Sequence, residues 1–104
     1  MRAAKFDAVV WKGGTYGLKL SAADRDAHLV REWRTIFLRL SGINELVEVN
    51  IDKPSMWEGN CRELISSKIG VWLKCHNKLP WPKGHPPKVT IECVGERVFA
   101  VTLK

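Results

Sequence analysis

The chain has 104 residues, 45% of them hydrophobic, and a formal net charge of +6. This length and apolar content suit one domain with a single modest core and exclude wholesale disorder. No apolar run approaches the roughly 20 residues that a membrane-spanning helix needs. Three widely spaced cysteines in such a chain predict free thiols rather than a disulfide framework.

The start, "MRAAKFDAVVWKGG", is basic but has neither a long apolar stretch nor a small-residue cleavage site, so no secretory signal is read there and a cytoplasmic location is expected. Within it, Phe6, Ala8 and Val10 alternate with Val9 and Trp11 as in a first strand, which Gly13-Gly14 ends. "YGLKLS" follows as a short second strand. Ser21 is a helix N-cap for one or two turns over residues 22–30, with acids in the first turn. Ile36, Leu38 and Leu40 then alternate in a third strand, and Val47, Val49 and Ile51 in a fourth, with "SGINE" as the turn between them.

"KPSMWEGN" reads as a loop. "NCRELISSKIGVWLKCHNK" reads as the main helix, with Leu64, Ile65, Ile69, Trp72, Leu73 and His76 on one stripe, Asn60 as N-cap and Glu63 completing a capping box. Gly70 inside it costs about 1 kcal/mol against Ala, so something is expected to pack very close there. "LPWPKGHPPK" is a proline-stiffened strap with Leu79 and Trp81 turned inward and Lys83, His85 and Lys88 facing water. The last two strands form a hairpin. A three-residue connection aligns Val89 with Leu103, Ile91 with Val101 and Cys93 with Phe99, which keeps the apolar side chains on one face and predicts a bulge.

The expected fold is α+β: a curved antiparallel sheet or small β-barrel of about six strands with one long helix against it, in the order β-β-(short α)-β-β-α-β-β. A sheet this short has exposed edges, and covering them by homodimerisation is expected.

Charge is unevenly spread. Residues 1–23 sum to +3, residues 24–58 to −2 and residues 59–104 to +5. A cationic C-terminal half can attract nucleic acid or an acidic partner, and its candidate contacts are Lys68, Lys74, Lys78, Lys83 and Lys88. Of five tryptophans, Trp11, Trp33 and Trp72 fall in regular elements and are expected in the core. Trp57 and Trp81 lie in loops, where they either stack on a ligand or fold back over an open barrel end.

No nucleophile elbow, phosphate loop or dinucleotide fingerprint is present, and "WKGGTYGLK" is followed by no long helix, so it is a turn. His28 and Asp24 stand four apart, a surface contact more naturally than an acid–base pair. Cys61, Cys75, His76 and His85 lack zinc-site spacing, so no metal and no cofactor are expected. The chain is read as a non-enzymatic basic binding domain. Its rival is a small-molecule-binding or purely structural protein whose open barrel end Trp57 and Trp81 close.

Two resemblances accompany this reading. "YGLKLSAADRDAHLVREWRTIFLRL" resembles the half-unit of AbrB/MazE-type swapped-hairpin transcription factors, which implies a dimer that binds DNA through basic residues. It has Ser21 where a proline is usual and lacks the Gly-Asp turn, so no functional residue is carried over. "YGLKLS", "CRELISSKIGVWL" and "LPWPKGHPPK" together resemble short bacterial reading frames of the kind carried on mobile elements such as integron gene cassettes. That resemblance spans nearly the whole chain and implies no activity.

Overall fold

Alternating apolar side chains dominate the chain, and they fold it around a seven-stranded sheet. The computed structural model describes residues 5–104; residues 1–4, on which part of the signal reading rests, lie outside the described residues. Strands β1 (Lys5–Lys12) and β2 (Tyr16–Lys19) lead into helix α1 (Ala22–His28) and a 3-10 turn (Arg31–Trp33). Then come β3 (Thr35–Leu40), β4 (Val47–Asn50), the single-turn helix α2 (Pro54–Trp57), β5 (Glu63–Ile65), α3 (Ser67–Cys75), β6 (Lys88–Gly95) and β7 (Val98–Leu103).

The strand order is β4-β3-β7-β6-β1-β2-β5. All pairs are antiparallel except β3 with β7, which run parallel. The two edge strands β4 and β5 approach within 8 Å, so the sheet curls into a nearly closed barrel. Inward positions follow the period of two: Phe6, Ala8 and Val10 on β1, Ile36, Leu38 and Leu40 on β3, and Val47 and Val49 on β4 are buried in one cluster. The β6–β7 hairpin has the predicted register, Val89 opposite Leu103, Ile91 opposite Val101 and Cys93 opposite Phe99, with the bulge between Cys93 and Gly95.

Three expectations need correction. The main helix is shorter than predicted. Glu63, Leu64 and Ile65 form β5, paired with β2 through Leu18 opposite Leu64, and the helix starts after Ser66, whose hydroxyl accepts from the Lys68 N–H. The open edge of β2 offers those three residues more backbone hydrogen bonds than a first helical turn would. The sheet therefore has seven strands, and Asn60 and Glu63 make no capping box. Second, "KPSM" is not all loop: α2 starts with Pro54 at its first turn and buries Met56. Third, β2 and β3 are not partners. β2 pairs with β1 and β5, and β3 with β4 and β7, so residues 16–40 do not form a swapped-hairpin unit.

The registers define two barrel ends. One end gathers the start of β3, the end of β4 and the β6–β7 turn, and α1, the 3-10 turn and α2 lie there. Leu29, Trp33, Met56 and Trp57 fill it. The other end gathers the start of β6 and the ends of β1, β3 and β7. Helix α3 crosses it, with Ile69, Trp72 and Leu73 facing the core and the Trp72 indole N–H donating to the Ser41 carbonyl at 2.9 Å. Among the described residues no helix is long and apolar enough to cross a membrane.

Candidate functional site

The proline strap completes the α3 end of the barrel. Helix α3 stops at Cys75, and Asn77 takes a left-handed backbone (φ 57°) while the Lys78 N–H donates back to the Leu73 carbonyl at 2.9 Å. That termination is what Asn tolerates and most side chains do not. The strap then crosses to β6, where the Pro87 carbonyl accepts from the Val10 N–H at 2.9 Å. Leu79 and Trp81 are half-buried against the core, and Lys83, His85 and Lys88 are exposed, as the sequence predicts. Gly84, with φ 80°, closes a turn in which the His85 N–H donates to Pro82.

Trp81 meets the ring of Tyr16 edge to face, with centroids 6.0 Å apart and planes at 70°. Tyr16 in turn lies over Gly70: a Cβ there would come 2.7 Å from the Tyr16 Cδ2. This is the close packing that a glycine in mid-helix predicts. The Lys12 ammonium sits 5.8 Å from the Tyr16 ring centroid, within cation–π range.

Two clefts flank Trp81. One, of about 200 Å³, is lined by Lys12, Tyr16, Leu79, Pro80 and Trp81. The other, of about 230 Å³, is cationic: Lys78, Lys88, Lys104 and His85 line it together with Asn77 and Leu103. Pro80 and Trp81 are the wall between them. Lys104 already pairs with Asp7 at 3.0 Å, whereas Lys12, Lys78 and Lys88 make no ion pair among the described residues.

The five predicted lysines all lie at this end, though not in one cleft. Lys78 and Lys88 line the cationic cleft. Lys83 is exposed on the strap turn, Lys74 is exposed on α3, and Lys68 on α3 pairs with Glu45 at 3.5 Å. Sequence reasoning missed Lys12, Tyr16 and Lys104, because β1, β2 and β7 reach the site only through sheet pairing. Gly70 was the one signal that could have found Tyr16.

The opposite end is built differently. Its signs are mixed, with Asp24, Asp26, Glu32 and Glu58 among Arg25, Arg31, Arg34 and Arg97. Two of its arginines serve the fold: Arg25 donates to the Met56 carbonyl at 2.8 Å, and Arg97 donates to the Thr35 carbonyl and hydroxyl. Trp57 belongs here, not with Trp81. Its indole N–H donates to the Ile51 carbonyl at 2.8 Å and the Arg25 guanidinium covers its ring. Trp57 and Trp81 therefore do not close the same opening. Lys53, where α2 begins, has its pKa lowered by burial, an effect partly opposed by Glu63 and Cys61.

No family model, curated protein or solved structure matches this chain. Geometry alone must carry the functional argument.

The remaining chemistry-bearing side chains are dispersed. The His28 ring stacks on Phe6 at 4.4 Å, while Asp24 accepts from the Ser21 hydroxyl, so the two form no dyad. His76 is exposed, and its Nε2 donates to the Ser41 carbonyl at 3.1 Å. Trp11 is a further correction: it sits half-buried on the outer face of β1 with its ring over Gly13, outside the core. Cys61, Cys75 and Cys93 are free thiols.

Proposed function

We propose that this protein binds nucleic acid through the barrel end formed by α3 and the proline strap. One observation carries the reading. Lys12, Lys78, Lys88 and Lys104, from β1, the segment after α3, β6 and the residue after β7, line the clefts beside Trp81, while the other end mixes acids with cations and ties Arg25 and Arg97 to carbonyls. A cluster of ammonium groups binds polyanions by releasing their counterions, and this requires no sequence readout. No catalytic step belongs to the proposal.

Affinity for random-sequence DNA or RNA, and retention on heparin, should fall roughly tenfold or more between about 50 and 200 mM salt. Absence of binding at the lower salt rejects the proposal.

A small-molecule site is the second reading, and the cleft beside Tyr16 is the observation that favours it. Its roughly 200 Å³ is below the usual range of about 300–1,000 Å³ for ligand pockets, so it suits a single ring system rather than an extended ligand. The version in which Trp57 and Trp81 share a site loses its support, since the two occupy opposite ends. Self-association where the edges of β4 and β5 leave the barrel incompletely closed is the remaining part of the proposal. Light scattering that gives a monomer mass across the working concentration range rejects that part alone.

A further inference from the structure

The two clefts flanking Trp81 differ in chemistry, and together they specify one form of nucleic acid. The cleft on the Tyr16 side is aromatic and apolar with a single cation, Lys12. The cleft on the other side is cationic, with Lys78 and Lys88 in no ion pair among the described residues. Tyr16 and Trp81 meet edge to face rather than stacking, and Trp81 lines the clefts on both of its sides. An aromatic face in a small concavity, with ammonium groups one side chain away, is the pairing that single strands need: a base to stack, a phosphate to neutralise.

Resting on the nucleic-acid reading above, we infer that the site is selective for single strands. An unpaired base enters the Tyr16–Trp81 cleft while the adjoining phosphates lie along Lys78 and Lys88. In a duplex the bases are paired and stacked and cannot reach this concavity. Nor does the basic end offer a duplex a free-standing helix to insert. Helix α3, the only helix there among the described residues, is nine residues long and lies across the barrel with Ile69, Trp72 and Leu73 buried. The strap also suits the task, since its four prolines limit the entropy lost when a strand drapes over it.

The test measures anisotropy of a labelled oligothymidylate and of a duplex of equal length, for the parent, Trp81→Leu and Lys88→Gln. Leucine keeps an apolar anchor in the strap but has no π-face. The parent should bind the single strand at least about tenfold more tightly than the duplex. Trp81→Leu should weaken single-strand binding about tenfold, the scale of one stacked base, without changing its salt slope or duplex binding. Lys88→Gln should weaken both and lower the single-strand salt slope by about 0.7. Should Trp81→Leu fail to fold, Tyr16→Leu removes the opposite wall and carries the same expectation.

Equal affinity for single strand and duplex, or a folded Trp81→Leu that binds as the parent does, overturns the single-strand inference and leaves the basic-end reading intact. No binding of either probe at low salt overturns both.

Discussion

Tyr16 shows how one side chain links packing to the site. It starts β2, lies over Gly70 of α3, meets Trp81 of the strap and underlies the Lys12 ammonium. Helix propensity alone says Gly70→Ala should stabilise the protein by about 1 kcal/mol. The new methyl would stand 2.7 Å from a Tyr16 ring carbon, and that ring is wedged between Trp81 and the helix. Overpacking wins, and we expect a net loss of about 1–3 kcal/mol by urea denaturation. A stabilised variant would mean that Tyr16 swings away freely, and the cleft beside it would then not be preformed. Lys53 makes a second residue-scale case. Its folded-state pKa lies below the ordinary 10.5, chiefly through burial. The unfolded chain therefore holds the extra proton between the two values, and stability should rise with pH through that window. In Lys53→Met this share of the rise should vanish; parallel pH profiles for the two proteins would contradict it.

At the scale of elements, the instructive region is residues 60–75. An apolar stripe with an N-cap residue and Glu three positions on reads as a helix start, yet Glu63–Ile65 is a strand because β2 has an edge to fill. The cap that operates is Ser66. Ser66→Ala should cost about 1 kcal/mol in denaturant, the usual value of a side-chain cap. Asn60→Ala should stay within about 0.5 kcal/mol, as for an exposed surface change. The reverse ranking would place the helix start where the sequence pattern puts it. The strap is a second such element. Trp81 is half-buried, so Trp81→Ala should cost less than the roughly 3–5 kcal/mol of a fully buried tryptophan. Trp72, which is fully buried and bonded to Ser41, should cost that full amount.

For the molecule as a whole, the notable property is the difference between its two ends. Arginines that satisfy carbonyls hold α1, α2 and the β6–β7 turn in place at one end, using the fixed fork of the guanidinium. Most of the lysines, whose flexible stems keep their charge in water, lie at the other. Substituting Arg25 should therefore appear as lost stability with little change in polyanion binding. Substituting Lys78 or Lys88 should do the opposite. The free thiols are a whole-molecule matter too: none is bonded, so the melting temperature should not move when reductant is added. A drop would reveal a covalent link between copies of the chain.

Local order was legible from residues alone wherever one period ruled a segment. The inward faces of β1, β3 and β4, the bulged register of β6 with β7, and the inward Leu79 and Trp81 of the strap all follow from alternation or from proline geometry. Each is decided within one short contiguous stretch of the chain. Three things were decided only by the tertiary structure. Glu63–Ile65 became a strand because of a partner 46 residues earlier in the chain, Leu18 opposite Leu64. Trp57 and Trp81 were separated to opposite ends, and Lys12, Tyr16 and Lys104 were brought to Trp81, by sheet pairing between β1, β2, β6 and β7. Backbone hydrogen bonding between distant strands leaves no periodic trace in the sequence. It determines which local faces become neighbours, and so whether scattered lysines and aromatic rings make a site.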